Sequence, residues 1–122
     1  MPALGDLEAQ VMRRIWARGQ PATVRDIVGD LQGERPVAYT TVMTVMDNLR
    51  KKGWLRRQAD GRAYRYEPLV SGEEYGAGLM RQALAASSDR AAVLMRFIGE
   101  MSAEEASALE EAYRRLTGNS AP

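Results

Sequence analysis

Residues 37–66 read VAYTTVMTVMDNLRKKGWLRRQADGRAYRY, and this stretch decides the fold. Val42, Val45, Met46 and Leu49 recur at helical spacing, so they mark the buried stripe of a helix expected over Tyr39–Lys52. Its other side carries Thr40, Thr41, Met43, Thr44, Asp47, Asn48 and Lys51. Threonine is a poor helix former on a solvent face, so stability does not explain its repeated use there and binding does. Gly53 stops the helix. Trp54–Arg57 and Ala63–Tyr66 then read as two strands about an Asp60-Gly61 turn signal, and Pro68 stops the second. The hairpin is almost wholly Arg and aromatics. A polar helix followed by a basic β-hairpin is the layout of a winged helix-turn-helix.

Two shorter helices complete such a module upstream. Leu4, Leu7, Val11, Met12, Ile15 and Trp16 place an amphipathic helix over Asp6–Arg18, ended by Gly19 and Pro21. Thr23 and Asp26 form a capping-box pair ahead of Val24, Ile27, Val28 and Leu31, and Gly33 and Pro36 close that helix. Pro21–Thr23 is a candidate third strand. Downstream, Ser71–Glu74 opens a helix to about Ala86, Ser88 or Asp89 caps another, and Ser102–Glu105 opens a last one to about Leu116. Gly118–Pro122 is expected to fray. The fold class is therefore mostly α with a small hairpin wing: a winged-helix DNA-binding domain over residues 1–70 and a helical dimerisation domain over 71–122.

Charge divides the same way. Residues 1–70 hold 12 Lys and Arg against 8 Asp and Glu, whereas residues 71–122 hold 5 against 8. Between Arg50 and Tyr66, seven basic residues face only Asp60. A local cluster of this kind attracts a polyanion whatever the global charge of +1. A helix in the major groove shows bases the residues near its N-terminus. The base-contacting candidates are thus Thr40, Thr41, Met43 and Thr44, with Asn48 one turn on. Tyr39, Arg50, Lys51, Lys52 and the wing residues Arg62, Tyr64 and Arg65 are the backbone-contacting candidates. Met43 also fits partial burial. Tyr66 fits the core beneath the wing, and Tyr64 fits either place.

The tail carries apolar faces that a first module of 70 residues cannot cover. Leu79, Leu84, Leu94, Phe97, Ile98, Met101, Leu109 and Tyr113 are the candidate contacts of an interlocked homodimer. The alternative is a tail folded back on its own first module.

The chemistry that the composition excludes is as informative. With 0 Cys and 0 His, the commonest nucleophile–base pairs and metal ligands are missing. Lys51 and Lys52 are the only lysines, and the Glu pairs 73/74, 104/105 and 110/111 are explained by helix capping and the helix dipole. No catalytic residue, metal site or cofactor is expected. There is no long apolar run and no basic-then-apolar leader, which points to the cytoplasm and no membrane insertion.

The runs LGDLEAQVMRRIW, TVRDIVGDL, TTVMTVMDNLRKKGWLRR and GRAYRYEPLVS resemble the penicillinase-repressor family, the BlaI/MecI group with its copper-responsive CopY branch. The resemblance implies a homodimeric winged-helix repressor with its third helix in a palindromic operator and its C-terminal helices interlocked. It implies control of β-lactamase or penicillin-binding-protein genes, and release when a membrane sensor protease leads to a cut in the dimerisation region. It places base contacts on Thr40–Thr44 and the basic helix end on Arg50–Lys52. Where staphylococcal-type members are cut at Asn-Phe, this chain has Arg96-Phe97. The C-terminal cysteines of the copper branch are missing, which excludes thiolate copper sensing. A winged-helix module that binds protein rather than DNA is the competing reading, since fold alone does not decide function.

Overall fold

The computed structural model describes residues 4–118, and the expected fraying beyond Gly118 lies outside them. Six helices and one hairpin follow in the order α1 (Asp6–Arg18), α2 (Val24–Leu31), α3 (Tyr39–Lys51), β1 (Leu55–Asp60), β2 (Ala63–Pro68), α4 (Gly72–Ala85), α5 (Arg90–Gly99) and α6 (Ala103–Leu116). The chain divides into two compact units, Met1–Met80 and Arg81–Pro122.

In the first unit, three helices and the hairpin enclose one core. Val11, Met12 and Ile15 of α1, Ile27 and Leu31 of α2, and Val42, Met46 and Leu49 of α3 are fully buried with Leu55 and Tyr66 of the wing. Val45, expected in the same stripe, is half-buried at its edge. Helix α1 ends at Gly19, whose positive φ of 68° suits a residue without Cβ. Arg18 beside it reaches Asp26 and Asp30 of α2, both at 3.5 Å, and so ties the two helices.

Helix α2 starts where its capping box predicts. The Asp26 N–H donates to Thr23 Oγ1 at 3.1 Å and the Thr23 N–H donates back to Asp26 Oδ2 at 3.0 Å. That second bond is the first cause holding the Asp26 carboxyl below the usual carboxylate range. A depressed folded-state value means that Asp26 stabilises fully above its unfolded value and loses this as pH falls through the depressed one. Thr23→Ala is expected to cost about 1 kcal/mol at neutral pH. Asp26→Asn should remove part of the acid sensitivity, read as a flatter urea midpoint against pH below the ordinary carboxylate range. An unchanged profile would contradict the role of the box.

The end of α3 aims the chain into the wing. The Trp54 N–H donates to Leu49 O at 2.9 Å and the Gly53 N–H to Arg50 O at 3.1 Å, with Gly53 at φ 87°. This is a Schellman motif, which needs a left-handed residue just past the cap. It ends α3 at Lys51, one residue before the expected limit.

The hairpin is antiparallel, in register from Leu55 opposite Pro68 to Asp60 opposite Ala63. The strands are longer than expected, and the two linking residues are Gly61 and Arg62 rather than Asp60 and Gly61. The reason lies in the backbone: Gly61 alone takes positive φ, at 64°, which favours glycine in the first central place of a two-residue turn. Asp60 stays in the ladder as the last paired residue. Ala22 pairs with Tyr66 through two backbone hydrogen bonds of 2.9 and 2.8 Å. The candidate third strand is therefore a single bridge.

The start of α4 belongs to the first unit. The Trp16 indole N–H donates to Val70 O at 2.8 Å, and the Tyr75 ring lies 5.9 Å from Trp16 and 5.3 Å from Trp54. Tyr75 also accepts from the Leu4 N–H through its hydroxyl at 3.0 Å. The division of the chain consequently falls inside α4, past the boundary at residue 70 expected from the sequence.

The second unit contains the rest of α4 with α5 and α6, each of the latter capped as expected, by Asp89 and by the Ser102–Glu105 box. None of its described residues is buried. Leu94, Phe97, Ile98, Leu109 and Tyr113 are exposed, and Leu84 and Met101 are half-buried, as is Leu79 at the end of the first unit. No helix among the described residues is long and apolar enough to cross a membrane.

Candidate nucleic-acid interface

A groove of about 1010 Å³ runs between α3 and the wing, with the start of α2 at one side. It gathers Tyr39, Met43, Thr44, Asn48, Arg50, Lys51, Arg62 and Tyr64, eight of the twelve residues the sequence proposes for DNA. The core stripe of α3 points inward, so the opposite face is presented by geometry, and Thr40, Thr41, Met43, Thr44 and Asn48 are all exposed. Met43 is 43% exposed, so it is open to a partner while part of its side chain is covered.

Thr44 shows what that face offers. Its hydroxyl donates to Thr40 O at 3.0 Å, the i−4 bond that threonine makes in a helix. With its proton engaged, the side chain presents a methyl group and an acceptor lone pair outward. That combination suits the methyl edge of thymine or a base amino group.

The N-terminus of α3 is unlike its neighbours. Helices α2, α4 and α6 each begin with a Ser or Thr box and acidic residues in the first turn, or their equivalent bonds at Ser71 and Glu74. Helix α3 has Ala38 at its cap, no side-chain cap bond and no acidic first-turn residue. Its free N–H donors and the positive end of its dipole remain available to an anion.

The cations divide into two groups. Lys52 turns to Glu8 of α1 at 2.6 Å, Arg65 pairs with Asp60 and Arg56 with Glu67 across the hairpin. Lys52 and Arg65, both proposed from the sequence, do not line the groove, and neither do Thr40 and Thr41. Arg50, Lys51 and Arg57 converge instead on Asp47, at 2.9, 3.2 and 3.3 Å. Arg50 first, then Lys51, holds the Asp47 carboxyl below its usual range, so it is ionised at neutral pH. Among the described residues, Arg25 and Arg62 line the groove without an ion pair.

Arg25 and Arg57 were missed by sequence reasoning. Arg25 sits one residue inside the box of α2, a position that marked it only as helical surface. Arg57 lies over the Tyr64 ring, 4.0 Å from its centroid, and so keeps that exposed aromatic upright on the wing. Tyr66, on the same strand face, is buried as expected. Among the described residues no group of His, Cys, Asp and Glu could hold a metal ion.

Comparison with known proteins bears on the chain as a whole. A family model described as the penicillinase repressor matches residues 4–115. The chain is 45% identical over 116 residues to the transcriptional regulator BlaI of Mycobacterium tuberculosis, covering 93% of this chain and 84% of that protein. It is similar to the solution structure of monomeric Bacillus licheniformis BlaI in complex with the blaP half-operator, at 27% identity and a TM-score of 0.51, over 61% of this chain and 89% of that one. A mutant of S. aureus MepR bound to an oligodeoxyribonucleotide shares the fold, with a TM-score of 0.54 at 18% identity over 94% of this chain and 78% of that one.

Proposed function

The chain belongs to the penicillinase repressor family of DNA-binding transcriptional repressors, and from that membership we propose that it acts as a homodimer on a palindromic operator. Two copies of α3 enter successive major grooves, about one helical turn of DNA apart or a multiple of it. The genes controlled are those of β-lactam resistance, the site of action is the cytoplasm, and induction releases the operator with a membrane sensor protease as partner.

The observation that carries this reading is the uncapped, acid-free start of α3 beside the basic groove. Thr40, Thr41, Met43, Thr44 and Asn48 read base edges, while Tyr39, Arg50, Lys51, Arg62 and Tyr64 meet the backbone. Lys52 and Arg65 contribute once they leave Glu8 and Asp60, exchanges that cost little because exposed ion pairs are weak. The apolar faces of α5 and α6 form the dimer contact. A cut at Arg96-Phe97 requires α5 to open first, because that bond lies inside the helix and proteases take extended chain.

The test separates base reading from phosphate binding. Thr41→Ala or Thr44→Ala should relax sequence preference by roughly 1–3 kcal/mol at one base pair. Lys51→Ala should weaken binding to every duplex and reduce the salt slope by about one. Titration of selected and scrambled duplexes across salt distinguishes the two. Equal, salt-independent losses on both would overturn the assignment, and no gel shift at low salt would return the chain to a protein-binding module.

A further inference from the structure

Among the described residues, Asp47 is the single acidic side chain lining the α3–wing groove. A repressor that grips phosphate gains nothing from a carboxylate there as such, since the ion opposes the polyanion. Its contacts suggest what it does instead. Oδ1 accepts from Arg50 Nε at 3.1 Å and Nη2 at 2.9 Å, and from Arg57 Nη1 at 3.3 Å, while Oδ2 faces Lys51 at 3.2 Å. Arg50 and Lys51 come from its own helix. Arg57 comes from β1 and stacks on Tyr64 of β2. One carboxylate therefore joins the helix to both strands of the wing.

We propose that Asp47 is a specificity-determining positioning residue, which fixes the wing against α3 through Arg57 and Tyr64 and restrains three cations from phosphates offered in the wrong geometry. The proposal rests on the DNA-binding reading above. Every Lys or Arg that reaches phosphate adds affinity for any sequence, and the associated counterion release steepens the salt dependence. A carboxylate already bonded to those cations lowers this general attraction. On the right operator the same bonds hold Arg50, Arg57 and Tyr64 where the backbone is met, so the restraint costs less there. Suppressing wrong partners by placing a like charge is an established use of charge at interfaces.

The test uses the full-length chain, a random-sequence duplex and a duplex selected from a random pool by the wild-type protein, titrated across salt by fluorescence anisotropy. Asp47→Asn keeps the size of the side chain and removes its charge. It should bind the random duplex several-fold more tightly, with a salt slope steeper by about one, and the selected duplex less tightly, narrowing their ratio roughly tenfold. Arg57→Gln should narrow the ratio too, but by weakening binding to the selected duplex, with the random duplex bound no more tightly than by the wild type. The double variant should narrow it no further than the stronger single variant, as expected of residues acting through one contact. A purely structural role would lower both affinities together, and a plain charge effect would raise both together; either result overturns the proposal. A wild-type chain that binds neither duplex overturns the DNA-binding reading itself, an outcome visible before any variant is compared.

Discussion

Ile98→Glu in the full-length chain is expected to give a monomer by light scattering and an operator affinity lower by about 10²–10³, or roughly 3–4 kcal/mol. The expectation follows from exposure. Ile98 and Phe97 are 49% and 50% exposed on α5, and none of the described residues of their unit is buried. Helix faces of this kind must find cover, and covering an Ile or Phe side chain contributes about 1.5–3 kcal/mol. A carboxylate at the centre of such a contact would be buried without a partner, which costs more than the lost contact. Two linked half-sites then become two independent ones, and the affinity due to linkage disappears. Random-sequence DNA should be bound nearly as before per subunit, because the residues proposed to meet phosphate lie in Met1–Met80. A dimer that survives Ile98→Glu would refute the dimer role of α5. A monomeric wild type whose stability falls on this substitution would favour a tail that packs on its own chain.

A truncation aimed at the same question has to respect Tyr75. Cutting the chain near residue 70 removes the ring that lies against Trp16 and Trp54, together with the hydroxyl that accepts from the Leu4 N–H. Such a fragment would lose binding through lost folding as well as lost pairing. A cut after Met80 keeps those contacts.

Tyr75 also illustrates what was legible in the chain and what was not. Local devices were read correctly. The boxes at Thr23–Asp26, Ser71–Glu74 and Ser102–Glu105 form as spaced, because both partners lie within one turn. The stripe of Val42, Met46 and Leu49 is buried because a helical period selects one face. The hairpin turn was misplaced by one residue, since Asp-Gly suits more than one turn and only the strand register decides between them. The partners of the basic residues could not be read at all. Lys52 finds Glu8 across 44 residues of sequence, and Arg57 finds Asp47 across ten. Seven clustered cations looked equivalent in sequence, and three-dimensional pairing divides them into those that face the groove and those that do not.

Tyr66→Ala is expected to be the most damaging single change in the first unit, costing about 3–5 kcal/mol, the range for deleting a buried aromatic ring. Tyr66 is 2% exposed and is among the largest fully buried side chains. Its backbone also carries the bridge to Ala22 and stands opposite Arg57 in the hairpin. The loss would therefore reach the wing as well as the core, because the strand that presents Tyr64 is anchored by its neighbour two residues on. A domain of this size should then unfold at a midpoint lower by roughly 15 °C or more. Tyr66→Phe should lose far less, since the ring still fills the space and only the hydroxyl is removed, whose electrostatic effect on the Arg57 guanidinium helps to raise its pKa. What the Phe variant loses should appear in DNA binding rather than in stability, as a smaller preference for the selected duplex, because Arg57 would then rely on Asp47 and Tyr64 alone. Near-equal thermal midpoints for Tyr66→Ala and the wild type would refute the anchoring role. A Phe variant with an intact preference would show that the Tyr66 hydroxyl is not needed to hold Arg57.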